Sequence, residues 1–254
     1  MTNLNSGTEI WTGSVSRQAA ASTAGFWGGD MYDQVSGLTF RAYGLIGDNG
    51  VARFALLSPA SMPPTQYIGQ AFGAFPVSGQ LIHGNLSGVM YPDNSFSNGT
   101  RFANLTMDGN LVPRSTFTGT WSGGGDWGTF NFSYNADDFE ETPSLAKLAG
   151  TFSGRVIHDA SLDPVGYLLT VTISPAGVLN GGDSRGCVYN GTVSLASAMH
   201  NYYALQVGAT NCPQQAGTYT GFAGVSDAGG VEDKVFFWLA NNGNSILTAI
   251  IPRQ

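Results

Sequence analysis

The chain has 254 residues, of which 36 are glycine, 10 are Lys or Arg and 17 are Asp or Glu, for a net charge of -7. Apolar residues at 42% with charged residues at only 11% argue against disorder, which needs low hydrophobicity and high net charge. They also argue against a helix-rich fold, whose straight-chain formers are scarce here. Two lysines and eight scattered arginines leave no basic stripe, which tells against nucleic acid as a partner.

In chain order, strand signals fall near residues 8–16, 37–45, 51–57, 80–89, 99–107, 116–121 and 128–134. Turn chemistry separates them at 47–50, 91–94, 107–110 and 122–126, where Asp-Asn-Gly and Asp-Gly are hairpin cues. Two stretches read as long connections: 18–36, and 58–76 with its four prolines. Within the first, Phe26, Trp27, Asp30 and Tyr32 are candidate partner-binding residues. Aromatic residues are enriched at interfaces, and the flanking Gly25, Gly28 and Gly29 would let them project. The competing reading has Phe26 and Trp27 plugging one end of a barrel. Trp121 and Trp127, either side of a Gly-rich turn, read as a cross-strand aromatic pair.

The acidic run Asp137-Asp138-Phe139-Glu140-Glu141 followed by Pro143 reads as a boundary, placing one β domain at 1–142 and another at 143–254. Ser144 is positioned to cap one short helical turn. Strands then recur at 148–157, 166–174, 178–181, 187–195, 202–209, 218–226, 231–240 and 245–251, joined mostly by tight turns. In the second of these, Tyr167, Leu169, Val171 and Ile173 alternate with Leu168, Thr170, Thr172 and Ser174, the pattern of a half-buried strand. Val235 to Leu239 is apolar on both sides, as expected of a strand buried on both faces or packed on a neighbouring domain, with an exposed binding strip as the rarer alternative. The expected fold class is all-β, with two small antiparallel meander barrels or barrel-like sandwiches of about seven to eight strands each.

A short element recurs in both halves: an aromatic residue, a small polar one, Gly, any residue, then an apolar one. Trp11 to Val15, Phe117 to Trp121, Phe152 to Val156, Tyr189 to Val193 and Tyr219 to Ala223 carry it. Glycine inside a strand marks a bend, a bulge or a close approach, so the element is structural. Cys187 and Cys212 allow one pairing, read as a disulfide from the start of one strand to the turn after the next. No Cys-x-x-Cys or zinc spacing accompanies them.

Residues 143–254 also carry a resemblance. Pro143-Ser-Leu-Ala with Leu148-Ala-Gly-Thr-Phe-Ser-Gly154, then Leu169-Thr-Val-Thr-Ile-Ser with Gly177, then Gly186-Cys with Gly191-Thr-Val193, Cys212 and Tyr219-Thr-Gly221, resemble a group of poorly characterised proteobacterial envelope lipoproteins. As architecture alone, two small barrels are similar to the plan of transferrin-binding surface lipoproteins. The resemblance implies a signal peptide, a lipidated N-terminal Cys and residence in the periplasm or at the outer membrane or cell surface. It brings no catalytic residues. Neither leader nor lipidation Cys is in this chain, so the expectation is a mature, exported form, to which a lipid anchor would be the sole membrane attachment.

Chemistry is sparse. There is no Gly-x-Ser-x-Gly elbow, and His83, His158 and His200 have no matched nucleophile. Loop aspartates such as Asp30 and Asp33 read as turn formers, a calcium site there being the rarer alternative. No cofactor and no metal is implied. The expected function is therefore non-enzymatic protein binding, as an immunity or inhibitor lipoprotein or a surface-capture protein. The acidic surface suits a basic partner. The rival expectations are a carrier of a small apolar ligand in a barrel cavity and a cryptic hydrolase.

Overall fold

The computed structural model describes residues 22–62, 66–78, 81–158, 166–212, 215–226, 234–241 and 245–254. The strand expected at 8–16, the first copy of the repeated element, the turn expected at 227–230 and all but the first residue of the turn expected at 241–244 lie outside them.

The first half builds β1 (Gly25–Asp33), β2 (Thr39–Ile46), β3 (Val51–Leu57), β4 (Tyr67–Ala74), the two-residue β5 (Val77–Ser78), β6 (Leu81–Met90), β7 (Phe102–Val112), β8 (Thr116–Gly123) and β9 (Asp126–Asn135). Hydrogen bonding runs β4-β3-β2-β1-β9-β8-β7-β6, and β4 pairs with β6 to close the sheet into eight staves, with β5 an addition on β6. Two short helical turns follow, α1 (Ala136–Phe139) and α2 (Leu145–Leu148). Ser144 caps α2 as expected, its Oγ accepting from the Ala146 N–H at 3.2 Å.

The second half builds β10 (Gly150–His158), β11 (Tyr167–Ile173), β12 (Val178–Asp183), β13 (Val188–Leu195), β14 (Tyr202–Thr210), β15 (Gly217–Ser226), β16 (Lys234–Ala240) and β17 (Ile246–Pro252). They pair in sequence order, with β10 on β17. The protein is thus all-β, with two closed antiparallel eight-stranded barrels. On β8 and β9 the outward residues Thr118, Thr120, Thr129 and Asn131 are exposed and polar while Phe117, Phe130 and Phe132 are buried inside. No helix of the described residues is long and apolar enough to cross a membrane.

Several expectations in the first half need correction. The two long connections each contain a strand, β1 and β4, without which the barrel could not close. The Met107-Asp108-Gly109-Asn110 signal is no turn. It lies inside β7, where Gly109 is required because a Cβ would stand 2.3 Å from the Thr118 carbonyl on β8. Trp121 and Trp127 do not pair, because the register sets Trp121 opposite Gly128 and Trp127 opposite Ser122, which turns one ring inward and the other to solvent. The repeated Gly-aromatic element has a similar cause: at Gly221 a Cβ would stand 1.9 Å from the Trp238 carbonyl, so glycine admits a neighbouring backbone.

The barrels share a wall. Phe26, Leu45, Ala55 and Phe139 pack against Tyr202, Phe222, Phe236 and Trp238, and Phe26 meets Phe236 edge-on at 5.1 Å. Val89 and Tyr91 pack against Ile157, Ala240 and Ile246. Polar bonds stitch the rim: Gln70 Nε2 donates to the Leu247 carbonyl at 3.0 Å and to Thr248 Oγ1 at 2.6 Å, and Tyr91 donates to Thr248 Oγ1 at 2.7 Å. The Asp48 N–H donates to the Tyr202 hydroxyl at 2.9 Å. Burial raises the hydroxyl pKa of Tyr67, Tyr134 and Tyr202, and a hydrogen bond to Glu140 adds to the rise at Tyr134. Arg53 lies over the Phe72 ring at 4.9 Å, and desolvation lowers its pKa to about 10.

Candidate functional site

The interiors of the barrels are filled differently. In the second, Phe152, Tyr189, Tyr203, Tyr219 and Phe237 form one continuous core with the aliphatic residues around them. Leu148 of α2 is fully buried in that core and Leu145 packs on it, covering one end. Cys187, just before β13, and Cys212, just after β14, form the expected disulfide with Cα atoms 4.7 Å apart and are buried at the other end. The cavity found among Leu169, Val171, Leu205 and Phe237 in this core measures about 20 Å³.

In the first barrel the large rings gather at the end nearest α1. Phe117 on β8 meets Trp27, Phe75, Phe130 and Phe132 at ring distances of 4.7–6.1 Å. The opposite end carries the connections 34–38, 58–62, 91–101 and 124–125, and there the inward positions are Met31, Phe40, Leu56, Ile68, Leu105 and Trp121, which form no such ring cluster among the described residues. A cavity of about 570 Å³ opens at this end, floored by those residues and rimmed by Asp33, Ser36, Ser58, Asp93, Ser97 and Asp126 among others. That volume falls in the range of small-molecule sites, which are mainly apolar with a few placed polar groups.

Two rim carboxylates come from strands, not loops. Strand alternation places Asp33 on the same side of β1 as Met31, and Asp126 on the same side of β9 as Phe130 and Phe132; all are buried. Asp33 is fully engaged in its turn: Oδ1 accepts from the Val35 N–H at 3.0 Å, and Oδ2 accepts from the Ser36 N–H at 3.1 Å and its hydroxyl at 2.5 Å. Asp126 Oδ2 accepts from the Ser97 N–H at 3.0 Å, whereas its Oδ1 is buried without a hydrogen-bond partner. Among the described residues no Lys, Arg or His lines the cavity. Arg101, the one cation of the connection after β6, donates instead to the Met90 carbonyl at 2.7 and 3.1 Å.

The residues singled out in the sequence land elsewhere. Phe26, 5% exposed, is in the wall between barrels, and Trp27, 1% exposed, is in the plug of the first barrel. Neither projects from a loop, because both belong to β1 and face packed neighbours. Trp27 fits the plugging alternative, with its indole N–H donating to the Thr23 carbonyl at 2.8 Å. Asp30 and Tyr32 are exposed on the outer face of β1, opposite Arg41 and Thr39 respectively, outside the cavity. Sequence reasoning missed Asp126, whose signal was its parity with Phe130 and Phe132. His83 Nδ1 lies 2.6 Å from Asp108 Oδ1 on the exposed face. His200 Nδ1 lies 2.9 Å from Asp48 Oδ1 beside the shared wall. Among the described residues no group of three or more His, Cys, Asp or Glu side chains is disposed to hold a metal ion.

No protein-family model and no curated protein matches the chain. Solved structures that match include the isotype 1 transferrin-binding protein B of serogroup B Neisseria meningitidis, 9% identical with a TM-score of 0.33 over 87% of this chain and 67% of that one. Another is a candidate outer membrane protein of Bacteroides fragilis, 10% identical with a TM-score of 0.24 over 91% of this chain and 97% of that one. At these scores neither likeness bears on function.

Proposed function

We propose that the chain is a non-enzymatic binding protein of a Gram-negative envelope that carries a small, largely apolar molecule in the open end of its first barrel. The observation that supports this reading is the contrast between a 570 Å³ cavity in one eight-stranded barrel and 20 Å³ in the other. Equal strand number does not by itself leave such space. Envelope residence draws on the Cys187–Cys212 disulfide, which persists in oxidising compartments, and on the charge-poor, glycine-rich composition. A lipid anchor belongs to the same proposal and rests on the resemblance of residues 143–254 to envelope lipoproteins.

Native mass spectrometry of protein purified without detergent tests the cavity. A co-purified or added apolar ligand should appear as an adduct in the wild type and vanish in Leu105→Trp, which fills the cavity floor. No adduct with any apolar probe would contradict it. A protein partner is the second reading, favoured by the exposed side chains Tyr32, Val35, Met62 and Trp127, the last 57% exposed, around the same mouth. Capture of a protein from envelope fractions that Trp127→Ala abolishes and Leu105→Trp leaves intact would establish it instead.

A further inference from the structure

We infer that the molecule taken by the first barrel is a cationic amphiphile, an alkylammonium in chemical class, with its charged head at Asp126 and its chain on Met31, Leu56, Ile68, Leu105 and Trp121. The inference rests on reading the cavity as a carrier site and adds the chemistry of the occupant.

A carboxylate on an inward barrel position is costly unless its charge is met. Asp126 is about nine-tenths buried, lines the cavity and has one oxygen bonded to the Ser97 N–H and the other to nothing. Stapling the connection after β6 to the β8–β9 hairpin accounts for Oδ2 alone, and the amide oxygen of an Asn would do the same. Around it the cavity carries two further carboxylates, Asp33 and Asp93, and, among the described residues, no cationic side chain. An anionic head group would therefore meet only like charge there, while a cation gains from all three carboxylates. Phe40, Phe96 and Trp121 also line the space, and aromatic faces attract ammonium groups. The floor of Met31, Leu56, Ile68, Leu105 and Trp121 is apolar and suits an alkyl chain.

Isothermal titration of the full chain with octylammonium, octan-1-ol and octanoate at neutral pH and low salt tests the inference. Octylammonium should bind at least tenfold more tightly than either congener, and Asp126→Asn should bring it to the level of octanol without changing octanol itself. Equal binding of octanol and octylammonium, or tighter binding of octanoate, overturns the cationic occupant but leaves the carrier reading standing. Binding by none of the three overturns both. Should Asp126→Asn not fold, the wild-type order of affinities still decides. Asp93→Asn then serves as the second variant, since Asn tolerates the positive φ of 67° at that exposed position. It should weaken octylammonium alone, and an equal effect on octanol would count against the inference.

Discussion

The two barrels use the same number of strands, the same up-and-down order and the same Gly-aromatic element, yet one is a solid core and the other is half a core and half a vessel. The difference lies in where the rings sit. Tyrosines and phenylalanines are distributed along β10, β13, β14, β15 and β16, and α2 and the disulfide cover the two ends. In the first barrel the packed ring cluster of Trp27, Phe75, Phe117, Phe130 and Phe132 lies near α1, and among the described residues no helix or disulfide covers the far end. Strand count sets a barrel's girth; the placement of large side chains along the axis decides whether that girth is filled.

Matched truncations should break or sharpen this contrast. Leu205→Ala, inside the filled barrel, should cost about 4 kcal/mol, and Leu105→Ala, on the cavity floor, about 2.5 kcal/mol, because a side chain facing empty space already lacks contacts on one side. Urea unfolding measures both, and equal losses would erase the distinction. Next in size, Cys187→Ser with Cys212→Ser should lower stability by about 3 kcal/mol by releasing a loop of 25 residues, with no effect on ligand binding in the first barrel. Loss of binding would show that the ends communicate.

Alkaline pH should act on the filled barrel. Burial, then the hydrogen bond to Asp183, raises the Tyr189 hydroxyl pKa well above its usual value. The folded state therefore holds this proton after the unfolded chain has lost its own, so stability is whole below pH 10 and falls as pH rises beyond it. Between pH 9 and 11 the Tyr189 contribution should fall by about 1.4 kcal/mol, and Tyr189→Phe should lack that part of the slope. The smallest effect concerns the shared wall. Arg53→Met should raise stability by about 1 kcal/mol, since the desolvated guanidinium has an unpartnered Nη1 and a thioether of similar length does not. A loss would show that stacking on Phe72 outweighs desolvation.

The same wall explains what was legible in the sequence. All eight strands of the second barrel could be read, most clearly β11, where one face meets solvent and apolar and polar residues alternate. β16, apolar on both sides, fits a strand buried on both faces, one packed on a neighbouring domain or an exposed binding strip, and the structure has its Phe236 and Trp238 packed on the first barrel. β1 and β4 look like connections in the sequence for the converse reason. Phe26 and Gln70 turn outward into packed neighbours, so alternation disappears, and the interspersed glycines and nearby prolines mimic loop composition. The cavity was less legible still. Asp126 adjoins a run of three glycines that reads as turn, and its inward parity matters only once β9 is known to begin there. Which end of a barrel its rings occupy depends on strand direction and register, and no periodicity encodes that.

Methyl-resolved NMR under xenon pressure tests the central contrast most directly, since xenon enters apolar cavities without needing a head group. The account predicts shifts at Met31, Leu56, Ile68, Met90 and Leu105, with Leu169, Leu179, Leu205 and Leu239 unmoved. Shifts in the second set, or none in either, would contradict it.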